Sequence, residues 1–157
     1  MKVSIGLPAK SLNAATGILN KLLSDEHVLY IKTRNAHWNV EGPDFYSKHE
    51  FFEDQYTELE KMIDEIAERT RMLGGYATGT MKEFLSLSQL KEYTGEKTDS
   101  LTYIDQLLAD HETIIKSLRE NIDKTGEELK DEGTADFLTE MMQAHEKMAW
   151  MLRAHLK

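Results

Sequence analysis

Residues 74–99, GGYATGTMKEFLSLSQLKEYTGEKTD, separate two strongly amphipathic stretches, and their length decides how the chain folds. On the N-terminal side Phe52, Tyr56, Leu59, Ile63, Ile66, Thr70 and Leu73 alternate steps of four and three. That is the spacing of one helix face, and Gly74-Gly75 ends it. On the C-terminal side Asp99-Ser100 reads as a helix cap, followed by Leu101, Ile104, Leu108, Ile115, Leu118 and Ile122 on a similar face. A tight turn needs only a few residues. A connection this long can run the length of a bundle, so the two helices it joins run parallel. Its own apolar patch, FLSLSQL at 84–90, predicts a short helix inside the crossover.

Outward from this stretch lie two more amphipathic segments. The first runs from about Ser11 to Ala36 and carries Ala15, Leu19, Leu22 and Leu29 at three-to-four spacing. The last starts near Thr134 and carries Phe137, Leu138, Met141, Met148, Met151 and Leu152. Segments one and two are joined by roughly ten residues around Gly42-Pro43, and three and four by a similar stretch around Thr125–Gly133. Both connections are short enough to make antiparallel neighbours. Strand alternation, internal repeats and a Gly-rich phosphate loop are all missing from the sequence. The expected fold is all-α: a four-helix bundle with one long crossover between helices 2 and 3, as a single domain over residues 1–157.

The composition narrows the chemistry. The chain has 157 residues and no cysteine, so disulfides, zinc–thiolate sites, iron–sulfur clusters and thiol catalysis are excluded. A metal would have to be held by His, Asp, Glu or backbone oxygens. No apolar run is long enough for a membrane span, and polar Ser11, Asn13, Thr16 and Asn20 interrupt any signal-like core, so a cytoplasmic protein is expected. A net charge of −9 repels nucleic-acid phosphates and favours cations.

A metal site buried within a single bundle commonly uses Glu-x-x-His on one helix. Here the residue three before each histidine is Ser24, Arg34, Tyr46, Leu108, Met142 or Leu152, none of them acidic. Helix 2 offers another arrangement. His49 and Glu53 are one turn apart, and Asp64 and Glu68 repeat that spacing. A rise of 1.5 Å per residue puts His49 and Asp64 roughly 22 Å apart, too far to share a metal in one chain. A second copy packed antiparallel across a twofold axis brings its Asp64 and Glu68 opposite His49 and Glu53, creating two equivalent mixed sites. His37, at the end of helix 1, can complete the imidazole share. The competing reading is an ordinary solvated helix flank rich in charge pairs.

The stretch HWNVEGPDFYSKHEFFEDQYTELEKMIDEIAERTRMLGG, residues 37–75, resembles the signature of the Dps family, the mini-ferritins named as DNA-binding proteins from starved cells. The likeness rests on His37-Trp38-Asn39-Val40, Gly42, Phe45, His49-Glu50, Asp64, Ala67-Glu68-Arg69 and Leu73-Gly74, with no gap in spacing. HEKMAWMLRAHL near the C-terminus resembles the family's last helix. The resemblance implies a ferritin-like bundle assembled from twofold dimers into a hollow dodecamer. It also implies a di-iron ferroxidase site shared between two subunits, with His37, His49 and Glu53 from one and Asp64 and Glu68 from the other. Glu53 departs from the pattern, where Asp is usual. The implied function is ferroxidase and iron storage: Fe(II) is oxidised, preferentially by hydrogen peroxide, and the Fe(III) mineralised inside the shell, limiting oxidative damage. Trp38 is either a trap for stray oxidising equivalents or an interface aromatic.

EELKDEGTADFLTE, residues 127–140, is either a solvated helix start or the lining of an iron-entry pore, which on the family pattern favours Asp136, then Glu132. His111 and His145 fall at apolar-phase positions and read as core or surface histidines; Met141, Met142, Met148 and Met151 read as packing. His27 and His155 receive no role. DNA binding, the family's namesake, is the rival function. Lys2 and Lys10 alone precede helix 1, RAHLK closes the sequence, and the net charge is strongly negative, so direct DNA binding is not expected.

Overall fold

The computed structural model describes residues 3–157. In chain order it contains α1 (Ala9–Asn39), α2 (Phe45–Met72), the short α3 (Met81–Leu87), α4 (Ser100–Asp123) and α5 (Glu132–Ala154). A π-helical turn, Lys124–Glu128, prolongs α4. Among the described residues the only β-type pairing is an isolated bridge between Glu41 and Asp99.

The crossover is fastened along α1, and the order of its contacts gives the topology. Asn20 binds the Tyr76 carbonyl at 2.9 Å and accepts the Thr78 N–H at 3.0 Å. Buried Asp25 accepts from the Ser88 hydroxyl, the Gln89 backbone N–H and the Gln89 side-chain amide, each at 2.8 Å. Lys32 donates to the Lys91 carbonyl at 2.9 Å, and the Glu41 N–H to the Thr98 carbonyl at 2.9 Å. Numbers rise together on both segments, so residues 76–98 travel parallel to α1 and return the chain to the end where α2 began. Helices α2 and α4 therefore run parallel, as the length of the connection predicts. Within the crossover α3 starts at a capping box, Thr80 accepting from the Glu83 N–H while Glu83 reaches back to the Thr80 N–H.

Helix ends differ from the sequence expectation in a consistent direction: the helices run further. Helix α1 continues to Asn39, leaving only Val40–Asp44 as the turn. The reversal is made within Glu41-Gly42-Pro43, with Gly42 at φ 130°, a conformation that side-chain-bearing residues rarely adopt. Helix α5 starts at Glu132, because Asp131 is the cap: its carboxylate accepts the Thr134 N–H at 3.0 Å and hydroxyl at 2.6 Å. Arg69 ties the end of α2 to this cap, 3.5 Å from Asp131 and 3.0 Å from the Thr134 hydroxyl.

Each long helix turns one stripe inward. Leu19 and Leu29, Phe52, Leu59 and Ile66, Ile104 and Ile114, and Leu138 and Leu152 are completely enclosed. Burying a side chain of this size stabilises the fold by about 1.5–3 kcal/mol before conformational entropy is counted. Leu101 belongs to the sequence stripe but is exposed in the first turn of α4, and Tyr103, Ile104 and Leu107 take the inward positions. Among the described residues no helix is long and apolar enough to cross a membrane.

Asp25 tests how the crossover is held. Asp25→Ala removes three hydrogen bonds that hold Ser88 and Gln89 to α1, and a loss of about 2 kcal/mol in unfolding free energy is expected. Faster amide hydrogen exchange confined first to residues 88–91 would accompany it, measured by mass spectrometry.

Candidate metal centre

His37 lies in the last turn of α1 and His49 near the start of α2, so the Val40–Asp44 turn folds them together. Their rings stack with centroids 3.8 Å apart at 22°. Each Nδ1 lies 2.8 Å from the other residue's backbone carbonyl oxygen. A carbonyl can only accept, so both Nδ1 atoms carry the proton and donate. The consequence is chemical: in the neutral imidazoles it is Nε2 that carries the lone pair, the state a metal requires. Glu53, one turn beyond His49, turns its carboxylate to the same point. One ligand atom from each of His37, His49 and Glu53 lies within 4.8 Å of the others, the only such group among the described residues. Burial falls across the set, from buried His37 through half-buried His49 to exposed Glu53, so the site opens on the surface.

Sequence reading missed the shell behind these residues. Tyr56 stands edge-on to His37, with centroids 5.2 Å apart at 79°. Desolvation and then the neighbouring Glu53 carboxylate raise the Tyr56 hydroxyl above its ordinary pKa, with Arg34 opposing. The Arg34 guanidinium lies over the rings of Tyr56 (4.8 Å), Trp38 (5.0 Å) and Tyr30 (5.5 Å), and donates to the Tyr30 oxygen at 2.6 Å. The signal was present in part, since Tyr56 is seven residues after His49 and so shares its face. Trp38 itself is largely exposed and borders a 410 Å³ cleft with His27, Ile31, Met81 and Tyr93.

Asp64 and Glu68 do not join His37, His49 and Glu53 within one chain. Both are exposed further along α2. Asp64 lines a groove with His27, Glu60, Ala67 and Phe84, whereas Glu68 faces a separate depression with Glu65, Arg69, Asp136 and Glu140. Asp136 and Glu132 are exposed in the first turns of α5. His111 and His145, left between core and surface by their sequence positions, are both completely buried.

Comparison with known proteins bears on the family and the fold. The ferritin-like domain family matches residues 16–157. The chain is 43% identical over 156 residues to a low temperature-induced protein of Nostoc sp., covering 99% of this chain and 87% of that protein. It is 40% identical over 140 residues to DNA protection during starvation protein 2 of Bacillus anthracis, covering 88% and 94%. Among solved structures it is similar to a DPS protein of Vibrio cholerae, described as a member of a broad superfamily of ferritin-like diiron-carboxylate proteins. The TM-score is 0.90 at 29% identity, covering 99% of this chain and all of that one.

Proposed function

Because the chain belongs to the Dps family of ferritin-like proteins, we propose that it oxidises Fe(II), preferentially with hydrogen peroxide, and stores the product as mineral inside a dodecameric shell. The observation that carries this reading is the convergence of one ligand atom each from His37, His49 and Glu53 at one surface-open point, with both Nδ1 atoms already committed to backbone carbonyls. Three donors leave coordination positions free for an oxidant and for further ligands. Asp64 and Glu68 of a second copy, packed antiparallel across a twofold axis, supply those ligands.

In this reading Fe(II) is the substrate. His37 and His49 are held in the metal-competent tautomer by each other's backbone, so iron meets a preformed pair. Carboxylates from Glu53, Asp64 and Glu68 are hard donors that favour Fe(III) over Fe(II) and so drive oxidation. Two Fe(II) ions each give one electron to one peroxide molecule; its O–O bond breaks and both oxygens end in the ferric oxyhydroxide. With water supplying the remaining oxygen, four protons leave per pair of iron ions. Consuming the electrons in pairs releases no hydroxyl radical, which is how the protein protects a cell. Asp136 and Glu132 draw Fe(II) inward by their charge, and Trp38 intercepts stray oxidising equivalents or packs against the second copy. The shell works in the cytoplasm, without direct DNA contact, since the chain carries −9.

Stopped-flow absorbance of Fe(II) with peroxide or dioxygen, alongside gel filtration, tests the proposal. Oxidation well above the protein-free rate, faster with peroxide, is expected from a particle of about twelve subunits. A monomer, or oxidation at the protein-free rate, contradicts it. Retention of plasmid in a low-salt gel shift would favour DNA compaction instead.

A further inference from the structure

Glu26 on α1, His111 on α4 and His145 on α5 are completely enclosed in the bundle. They lie away from the candidate metal centre: Glu26 is about 16 Å along α1 from His37. His145 Nε2 is 2.6 Å from Glu26 Oε1. On its other side, His145 Nδ1 is 2.9 Å from His111 Nδ1, with ring centroids 5.0 Å apart at 57°. The remaining atoms of this chain, Glu26 Oε2 and His111 Nε2, are buried without hydrogen-bond partners.

Proton counting restricts how such a chain can exist. The two imidazoles meet through the same nitrogen, so their bond needs one N–H and one lone pair. A buried carboxylate calls for a counter-charge, and the imidazole in contact with it, His145, supplies one when it is protonated. As an imidazolium, His145 donates from Nε2 to Glu26 and from Nδ1 to His111. His111 is then neutral, accepting at Nδ1. Burial, and then the charge on His145, hold His111 well below the ordinary histidine pKa. A proton added at His111 Nδ1 would set two N–H groups head-on over 2.9 Å and place a second positive charge in the core.

Among the described residues no carboxylate hydrogen-bonds to His111: its Nδ1 meets His145 and its Nε2 has no partner. On α1, Asp25 is committed to Ser88 and Gln89, and Lys32 pairs with Asp110 of α4. The buried residues of α2 are Phe52, Gln55, Leu59, Met62, Ile66 and Thr70, none of which titrates. The buried residue of α3 is Phe84, and His145 is the one titratable side chain among the buried residues of α5.

We propose that the His111–His145 contact is a proton-operated latch between α4 and α5, closed while the pair carries one positive charge and opened by a second. Acid loosens the bundle from within, independently of metal. The sign follows from linkage. Below about pH 6.5 the unfolded chain protonates His111 while the folded chain does not. Stability from the latch is complete above that pH and is lost as pH falls from there toward the folded value.

The test uses the assembled, iron-free protein in thermal melts from pH 7.5 to 5. The wild type is expected to lose about 5 °C more in Tm over that range than His111→Phe, which fills the space but cannot take the proton. Parallel pH profiles for the two proteins overturn the latch. Histidine C2-hydrogen exchange on the wild type, read by mass spectrometry, decides the matter if the variant does not fold. His111 should titrate well below the ordinary histidine value; titration of His111 near that value overturns the proposal.

Discussion

On the proposed function, His49→Ala is expected to slow peroxide-driven Fe(II) oxidation by about two orders of magnitude, because it removes a proposed iron ligand outright and not merely its support. The substitution separates ligand from scaffold. His37 donates its Nδ1 proton to the backbone carbonyl of His49, which alanine keeps, so the remaining imidazole stays in the metal-competent tautomer. What is lost is one imidazole donor, the stacked ring and the His49 Nδ1–H bond to the His37 carbonyl. His49 is only half-buried, and α2 is anchored by fully buried Phe52, Leu59 and Ile66, so a stability change within about 1 kcal/mol is expected. Stopped-flow rates and anaerobic Fe(II) titration on the same preparation check both halves. A wild-type rate from a folded His49→Ala protein would remove His37, His49 and Glu53 as the oxidation site.

The fold was legible because its signals are local and periodic. The stripes of α2 and α4 and the length of residues 74–99 give helix count and direction without any tertiary knowledge. The error at Leu101 has the same origin in reverse, since period alone cannot say where a helix enters the bundle. Helix ends were placed short because Asp131 caps α5 and Gly42 turns the chain through side-chain bonding and backbone sign that apolar periodicity does not register. His37, His49 and Glu53 could be nominated from spacing and family resemblance. Their tautomers could not, since these depend on two carbonyls folded into place. The Glu26–His145–His111 chain was the least visible feature. Glu26 and His145 are 119 residues apart, and a histidine at an apolar phase gives no hint of its partner.

Mixing two inactive variants should restore activity, and the amount restored measures whether the site is shared. Asp64→Ala keeps His37, His49 and Glu53 but lacks a carboxylate of the second half; His49→Ala keeps Asp64 and Glu68. Each alone should lose most of its oxidation rate, because every site in a homodimer then lacks one ligand. In a mixed dimer one site takes His49 from the first variant and Asp64 from the second, and is complete. The other site lacks both. Random reassortment of equal amounts makes half the dimers mixed, so about a quarter of wild-type sites, and of the wild-type rate, should return. Within one chain Asp64 does not join the convergent trio and borders a different groove, so an active site that used it would need a second copy. Stopped-flow rates before and after dissociation and reassembly of the mixture give the measurement. If Asp64→Ala alone oxidises iron normally, Asp64 is not a ligand. If both variants are inactive but the mixture stays inactive after subunit exchange is shown by native mass spectrometry, the two halves of the site do not come from different subunits.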